Sequence, residues 1–144
     1  MCDWHTERFV SVKPVTKEMI KKWDMKCVDW MGYKKEKKDI FTFHHLIVPA
    51  RNNGPYEMWN GAILCGGTSH PYLHVVENID YEMFCYITSL LIDMNILGRL
   101  DLELIKEIDE TLKSFERQHQ GERYKSKKRI IKPEYTIRDY TSLK

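Results

Sequence analysis

The sequence contains no Cys-x-x-Cys. Its four cysteines (Cys2, Cys27, Cys65 and Cys85) are scattered along 144 residues. That excludes a paired-cysteine zinc knuckle and a thioredoxin-like motif. A signal-peptide pattern is absent as well, so free thiols in a reducing cytosol are expected. No apolar run is long enough to span a bilayer. The most apolar stretch, from Met83 to Leu97, is interrupted by Asp93 and Asn95 and is short of the ~20 residues a span needs. Internal repeats and low-complexity tracts are also missing. Net charge is only +2, so overall charge does not announce a nucleic-acid partner. Its distribution says more. Residues 122–144 carry eight Lys/Arg against three Asp/Glu, whereas the rest carries 15 against 18. The length suits one domain over residues 1–121 with a basic tail over 122–144.

What is present is histidine, and it is concentrated. Four of the six histidines lie between Phe41 and Glu77. His70 and His74 are four apart, so a helix there puts both rings on one face, one turn apart. A helix offers two nitrogen ligands to one metal in this way. His44 and His45 are adjacent, and on a strand they point to opposite sides. At most one of them joins the metal unless the strand bends. The set therefore suggests three histidine ligands, one spare histidine and an open metal position, as a catalytic site requires.

Local signals lay out the chain. Residues 1–15 read as extended, with Phe9-Val10-Ser11-Val12 alternating and Pro14 ending the segment. His5 in this arm is read as an exposed or locally bonded imidazole. Residues 16–31 read as a helix capped by Thr16 and ended by Gly32, with Met19, Ile20, Trp23, Cys27, Trp30 and Met31 inward. A short charged link through Lys38 leads into a strand over 40–47. A polar loop with the turn signal Asn53-Gly54-Pro55 follows. A second strand over 60–65, a Gly66-Gly67 turn and a helix capped by Thr68 or Ser69 come next. A helix from Asn78 or Asp80 to Leu97 reads as the main core helix, closed by Gly98. A last helix runs from Asp101 to about Gln120, with Leu102, Ile105, Ile108, Leu112 and Phe115 inward. His119 at its end suits the helix dipole. Cys65 reads as packed in the second strand. The result is an α+β chain with a β-loop-β-turn-α core over 40–77 and further helices packed on it.

The ordered set His44-His45, Asn60, Leu64-Cys65-Gly66-Gly67-Thr68, His70 and His74 resembles the HNH endonuclease family, the ββα-metal nucleases, and its phage-type members in particular. His45 precedes Asn60 by fifteen residues, and Asn60 precedes His70 by ten. The resemblance covers about a quarter of the chain, and each part alone is a weak signal. It implies a two-stranded antiparallel hairpin and helix gripping one divalent metal, and hydrolysis of DNA phosphodiesters. His44, His70 and His74 would be the ligands and His45 the general base. Asn60 would join the catalytic set by fixing the loop that aims the base. Imidazole ligands suit Zn, Ni, Co or Mn, and Mg prefers oxygen, as in members with Asp at the first histidine. Zn, Ni, Mn and Mg stay as candidates. The chain departs from the family in lacking a paired-cysteine zinc site. It also carries Lys38 and Thr42 where colicin-type members have an Arg–Glu pair.

Lys38 and Arg51 near the core, and Arg123, Lys125, Lys127, Lys128 and Arg129 in the tail, are the expected phosphate contacts. Tyr124, Tyr135 and Tyr140 stand among the tail charges. The expected partner is DNA, duplex foremost, in the cytoplasm of a bacterial or phage-infected cell, with no membrane. The alternative reading is a non-catalytic nucleic-acid-binding domain in which the histidines hold a structural metal.

Overall fold

The structure, a computed structural model, describes residues 13–119. His5, the extended N-terminal segment and the tail residues Arg123, Lys125, Lys127, Lys128 and Arg129 lie outside the described residues. The architecture is α+β: α1 (Pro14–Lys22), β1 (Phe41–His45), β2 (Gly61–Cys65), α2 (Ser69–Ile79), α3 (Tyr81–Leu97) and α4 (Leu102–Gln118). Single 3₁₀ turns at Ala50–Asn52 and Met58–Asn60 shape the loop between the strands. The strands pair antiparallel, with Phe41 opposite Cys65, His44 opposite Ala62 and His45 opposite Gly61. This is a β-loop-β-α layout. No helix of the described residues is long and apolar enough to cross a membrane.

Alternation along β1 sends Thr42 and His44 toward α2, while Phe43 and His45 share the other side with Tyr56. Every residue of β2 is buried, which is why its sequence is an unbroken apolar run. Cys65 is fully buried there as a free thiol. Gly61 is required by packing: a Cβ would lie 2.2 Å from the Phe43 ring.

The N-terminal third differs from the sequence expectation. Pro14 starts α1 at its first position instead of ending a strand, and Thr16 is buried inside the first turn without capping. The helix stops at Lys22. Asp24 takes a left-handed φ of 53°, and residues 23–35 follow an irregular path. Trp23, Met25, Trp30 and Met31 are buried all the same. Burial of a periodic apolar set is satisfied here without a helix, because Asp29 supplies the acceptors. Its buried carboxylate accepts from the backbone N–H of Met31 and Tyr33 at 2.9 Å each, from Cys65 N–H at 2.8 Å, and from the Ser69 hydroxyl. Ser69 is thus a tie between α2 and this loop, and neither it nor Thr68 caps α2 with its side chain. Gly32, at φ 84°, turns this loop and ends no helix.

The later helices follow their local signals. Asp80 and Asp101 cap α3 and α4 by accepting from Met83 and Leu104 N–H, and Gly98 closes α3 at φ 72°. Ile105, Ile108, Leu112 and Phe115 of α4 are fully buried, and Leu102 is only partly so. In α3, Ile87, Leu90, Leu91 and Met94 enter the core. Ile96, however, is 76% exposed and Leu97 47%, so this helix is not core on all sides. His119 sits against the Phe115 ring and 3.4 Å from the Asp80 carboxylate.

Candidate metal centre and its neighbouring histidine

Three histidines converge beside the hairpin. One ring nitrogen from each of His44, His70 and His74 lies within 4.8 Å of the others. Strand β1 supplies the first and α2 the other two, one turn apart. His44 Nδ1 faces His70 Nε2 at 3.3 Å. Two nitrogens bound to one tetrahedral zinc at ~2.0–2.1 Å lie ~3.3–3.4 Å apart, so the spacing suits a shared ion.

Neighbours set the tautomers. Thr42 Oγ1 donates to the Leu64 carbonyl at 3.0 Å, and so accepts from His70 Nδ1–H at 2.8 Å. The His70 Nε2 lone pair is left facing the cluster. His74 Nδ1–H donates to Glu77 Oε1 at 2.8 Å, which frees its Nε2 in the same way. Carboxylate and hydroxyl partners of this kind orient metal-binding imidazoles and raise their basicity. Nε2 of His44 is buried without a hydrogen-bond partner among the described residues. Burial first, then His70, His74 and His45, hold the His44 pKa well below the usual imidazole value. Burial, then His74 and His45, lower His70 to about 4. Both rings are therefore neutral at pH 7, the form that binds a metal. These three residues can hold a metal ion, and the donor set fits one.

His45 is held differently. Its ring packs edge-on against Phe43 and Tyr56, with centroids at 5.0 and 4.7 Å. Nε2–H donates to the Gly54 carbonyl at 3.2 Å, so Nδ1 carries the lone pair. Gly54 cannot be another residue, because a Cβ there would lie 1.9 Å from the Val48 carbonyl oxygen. Asn60 fastens this loop. Its Oδ1 accepts from Ile47 and Val48 N–H at 2.9 and 2.8 Å. Its Nδ2 donates to the Val48 and Pro55 carbonyls at 3.0 and 3.2 Å. The side chain is fully buried with both ends used. Asn60 is thus a positioning residue for the loop that carries the Gly54 carbonyl, and it is not in the histidine cluster.

All four histidines line one cleft of about 500 Å³, with Arg51, Tyr56, Glu77, Tyr81 and Phe84 also on its walls. His44 and His45 point to opposite sides of β1, yet both reach the cleft because the strand ends at His45. Arg51 is exposed at the rim. Lys38 is exposed elsewhere and does not line the cleft. Sequence reasoning gave no role to Glu77, although its i+3 spacing from His74 was visible. Thr42 was visible too, two residues before His44 and therefore on the same strand face. Asp29 left no local signal.

No family model, characterised protein or solved structure matches this chain.

Proposed function

We propose that this chain is a metal-dependent endonuclease of the HNH type, hydrolysing phosphodiester bonds of DNA. One observation carries this reading: a histidine with its base nitrogen set by a backbone carbonyl stands in the same cleft as a three-histidine metal cluster. A structural metal site has no use for the fourth histidine or for the open cleft.

His44, His70 and His74 would hold the ion, and three ligands would leave room for substrate. When bound, such an ion would supply positive charge to stabilise the phosphate and the departing oxygen. The all-imidazole set leaves that charge undiminished and suits zinc, nickel or manganese better than magnesium. His45 accepts the proton of the attacking water at Nδ1, while its Nε2–H stays on Gly54. As the new O–P bond forms, the bond from phosphorus to the leaving sugar oxygen breaks. Arg51 at the rim binds a neighbouring phosphate, bidentate where geometry allows. The basic stretch of residues 122–144 supplies further backbone contacts with duplex DNA.

The test is plasmid nicking by chelator-stripped protein, with Zn, Ni, Mn, Co or Mg restored singly and His45→Ala alongside. Metal-restored nicking that His45→Ala lacks is the expected result. A folded, metal-loaded wild type that cuts nothing would instead favour the non-catalytic nucleic-acid-binding domain.

A further inference from the structure

Part of the cleft wall comes from the start of α3 and is aromatic. Tyr81 and Phe84, at the start of α3, stack with centroids 5.8 Å apart and planes 29° from parallel. Phe84 meets His44 edge-on at 6.3 Å. A continuous line of rings thus leads from the surface to the metal cluster. Its outermost member, Tyr81, is 62% exposed. The other cleft tyrosine is already occupied, since the Lys13 ammonium sits 4.3 Å above the Tyr56 ring centroid. Arg51 lies on the rim of the same cleft. The cleft therefore combines groups for phosphate with one flat apolar surface a short step from the metal site. A nucleotide has these same two parts. In regular duplex, however, a base stays within its own stack and offers no face to a protein ring.

We propose that Tyr81, backed by Phe84, is a stacking platform for an unpaired base beside the scissile phosphate, so that the preferred substrate is DNA with a nucleotide out of the stack. This rests on the nuclease reading and narrows it. A mismatch, bulge or single strand lowers the cost of unstacking, while stacking on an aromatic ring tolerates any base. Uniform duplex, whose bases stay stacked, is cut more slowly and without the platform.

The experiment compares cutting of one labelled sequence as perfect duplex, with a single bulged nucleotide, and as single strand. Wild type, Tyr81→Ala and Tyr81→Phe are each tested with the metal that restores nicking. The bulged and single-stranded forms should be cut at least about tenfold faster by wild type. Tyr81→Ala should lose roughly ten- to hundredfold on those forms and little on perfect duplex, and Tyr81→Phe should behave as wild type. Preference for perfect duplex, or Tyr81→Ala cutting the bulged form like wild type, overturns the proposal and leaves the nuclease intact. If nothing is cut by wild type, the nuclease reading fails and binding decides the platform. Quenching of a 2-aminopurine single strand by wild type and Tyr81→Phe but not by Tyr81→Ala supports it. Equal quenching by all three, or none, overturns it.

Discussion

Thr42 and His44 look to one side of β1, Phe43 and His45 to the other, and the two sides are held by different means. On the metal side, each histidine stands on a regular element. Strand pairing places His44, helical pitch places His70 and His74, and single hydrogen bonds donated to Thr42 and Glu77 turn two of the rings. On the side of the proposed base, called the base side below, a loop does the aiming. The Gly54 carbonyl holds His45, and that loop keeps its shape through the four hydrogen bonds of one buried asparagine. Ligands need only converge, and elements achieve that with tolerance. A base must present one nitrogen in one direction, and for His45, the proposed base, that precision would depend on a few polar contacts. Damage should follow this division: concentrated on the base side, graded on the metal side.

The sharpest separation comes from His45→Ala. Cutting should fall by ~10²–10⁴, the usual worth of a general base, while metal stoichiometry and fold stay at wild-type values. Metal content by atomic emission beside a nicking rate checks it. A variant that loses its metal would show that the two sides are not independent.

Asn60→Ala comes next. It leaves two N–H groups and two carbonyls of the 47–55 loop without their side-chain partner. Each buried orphan costs ~1–3 kcal/mol, less where water enters, so a net loss of about 3 kcal/mol in urea unfolding is expected. Nicking should fall as well, while folded protein still binds metal. Asn60→Asp should not rescue it, because a carboxylate oxygen would then face the Val48 and Pro55 carbonyls. Full activity in either variant would separate the loop from the base.

These contrasts bear on what could be read from the chain. The hairpin, α2 and the four histidines were legible because each signal is local: period two around His44, period four between His70 and His74, aspartate caps at Asp80 and Asp101, glycine at 98. The irregular path over 23–35 was not. Its order comes from Asp29, which reaches Cys65 and Ser69 across 36 and 40 residues. Without that partner the periodicity of Trp23, Cys27 and Trp30 reads as a helix. Similarly, the apolar run of α3 does not say which residues leave the core, and Ile96 and Leu97 do. The residues that tune the site were present but silent, since the role of a Thr or Glu depends on the ring it meets.

The metal side carries its own signature in pH. Above the unfolded imidazole value of 6.5, His70 is neutral in both states and contributes nothing to pH dependence. As pH falls toward about 4, the unfolded chain takes up a proton that the folded site refuses. Stability of the chelator-stripped protein should therefore drop across that window and level off below it. The drop due to His70 is about 3 kcal/mol, with His44 adding in the same direction. Urea unfolding from pH 7 to pH 4 reads it. A flat profile would mean that the cluster is hydrated and titrates normally.

The smallest effect should come from Glu77→Gln. The amide still accepts from His74 Nδ1–H through its oxygen, so the ring keeps its tautomer. What is lost is negative charge behind an imidazole that is half exposed. Metal affinity should weaken about tenfold, the low end for such partners, with cutting restored at higher metal concentration. Thr42→Val is the harsher counterpart, because it removes the hydroxyl that accepts from His70 Nδ1–H and leaves that ring's tautomer unset. A competitive chelator titration ranks the two. If Glu77→Gln instead abolishes cutting at saturating metal, Glu77 does more than orient His74, and the metal side is as exacting as the base side.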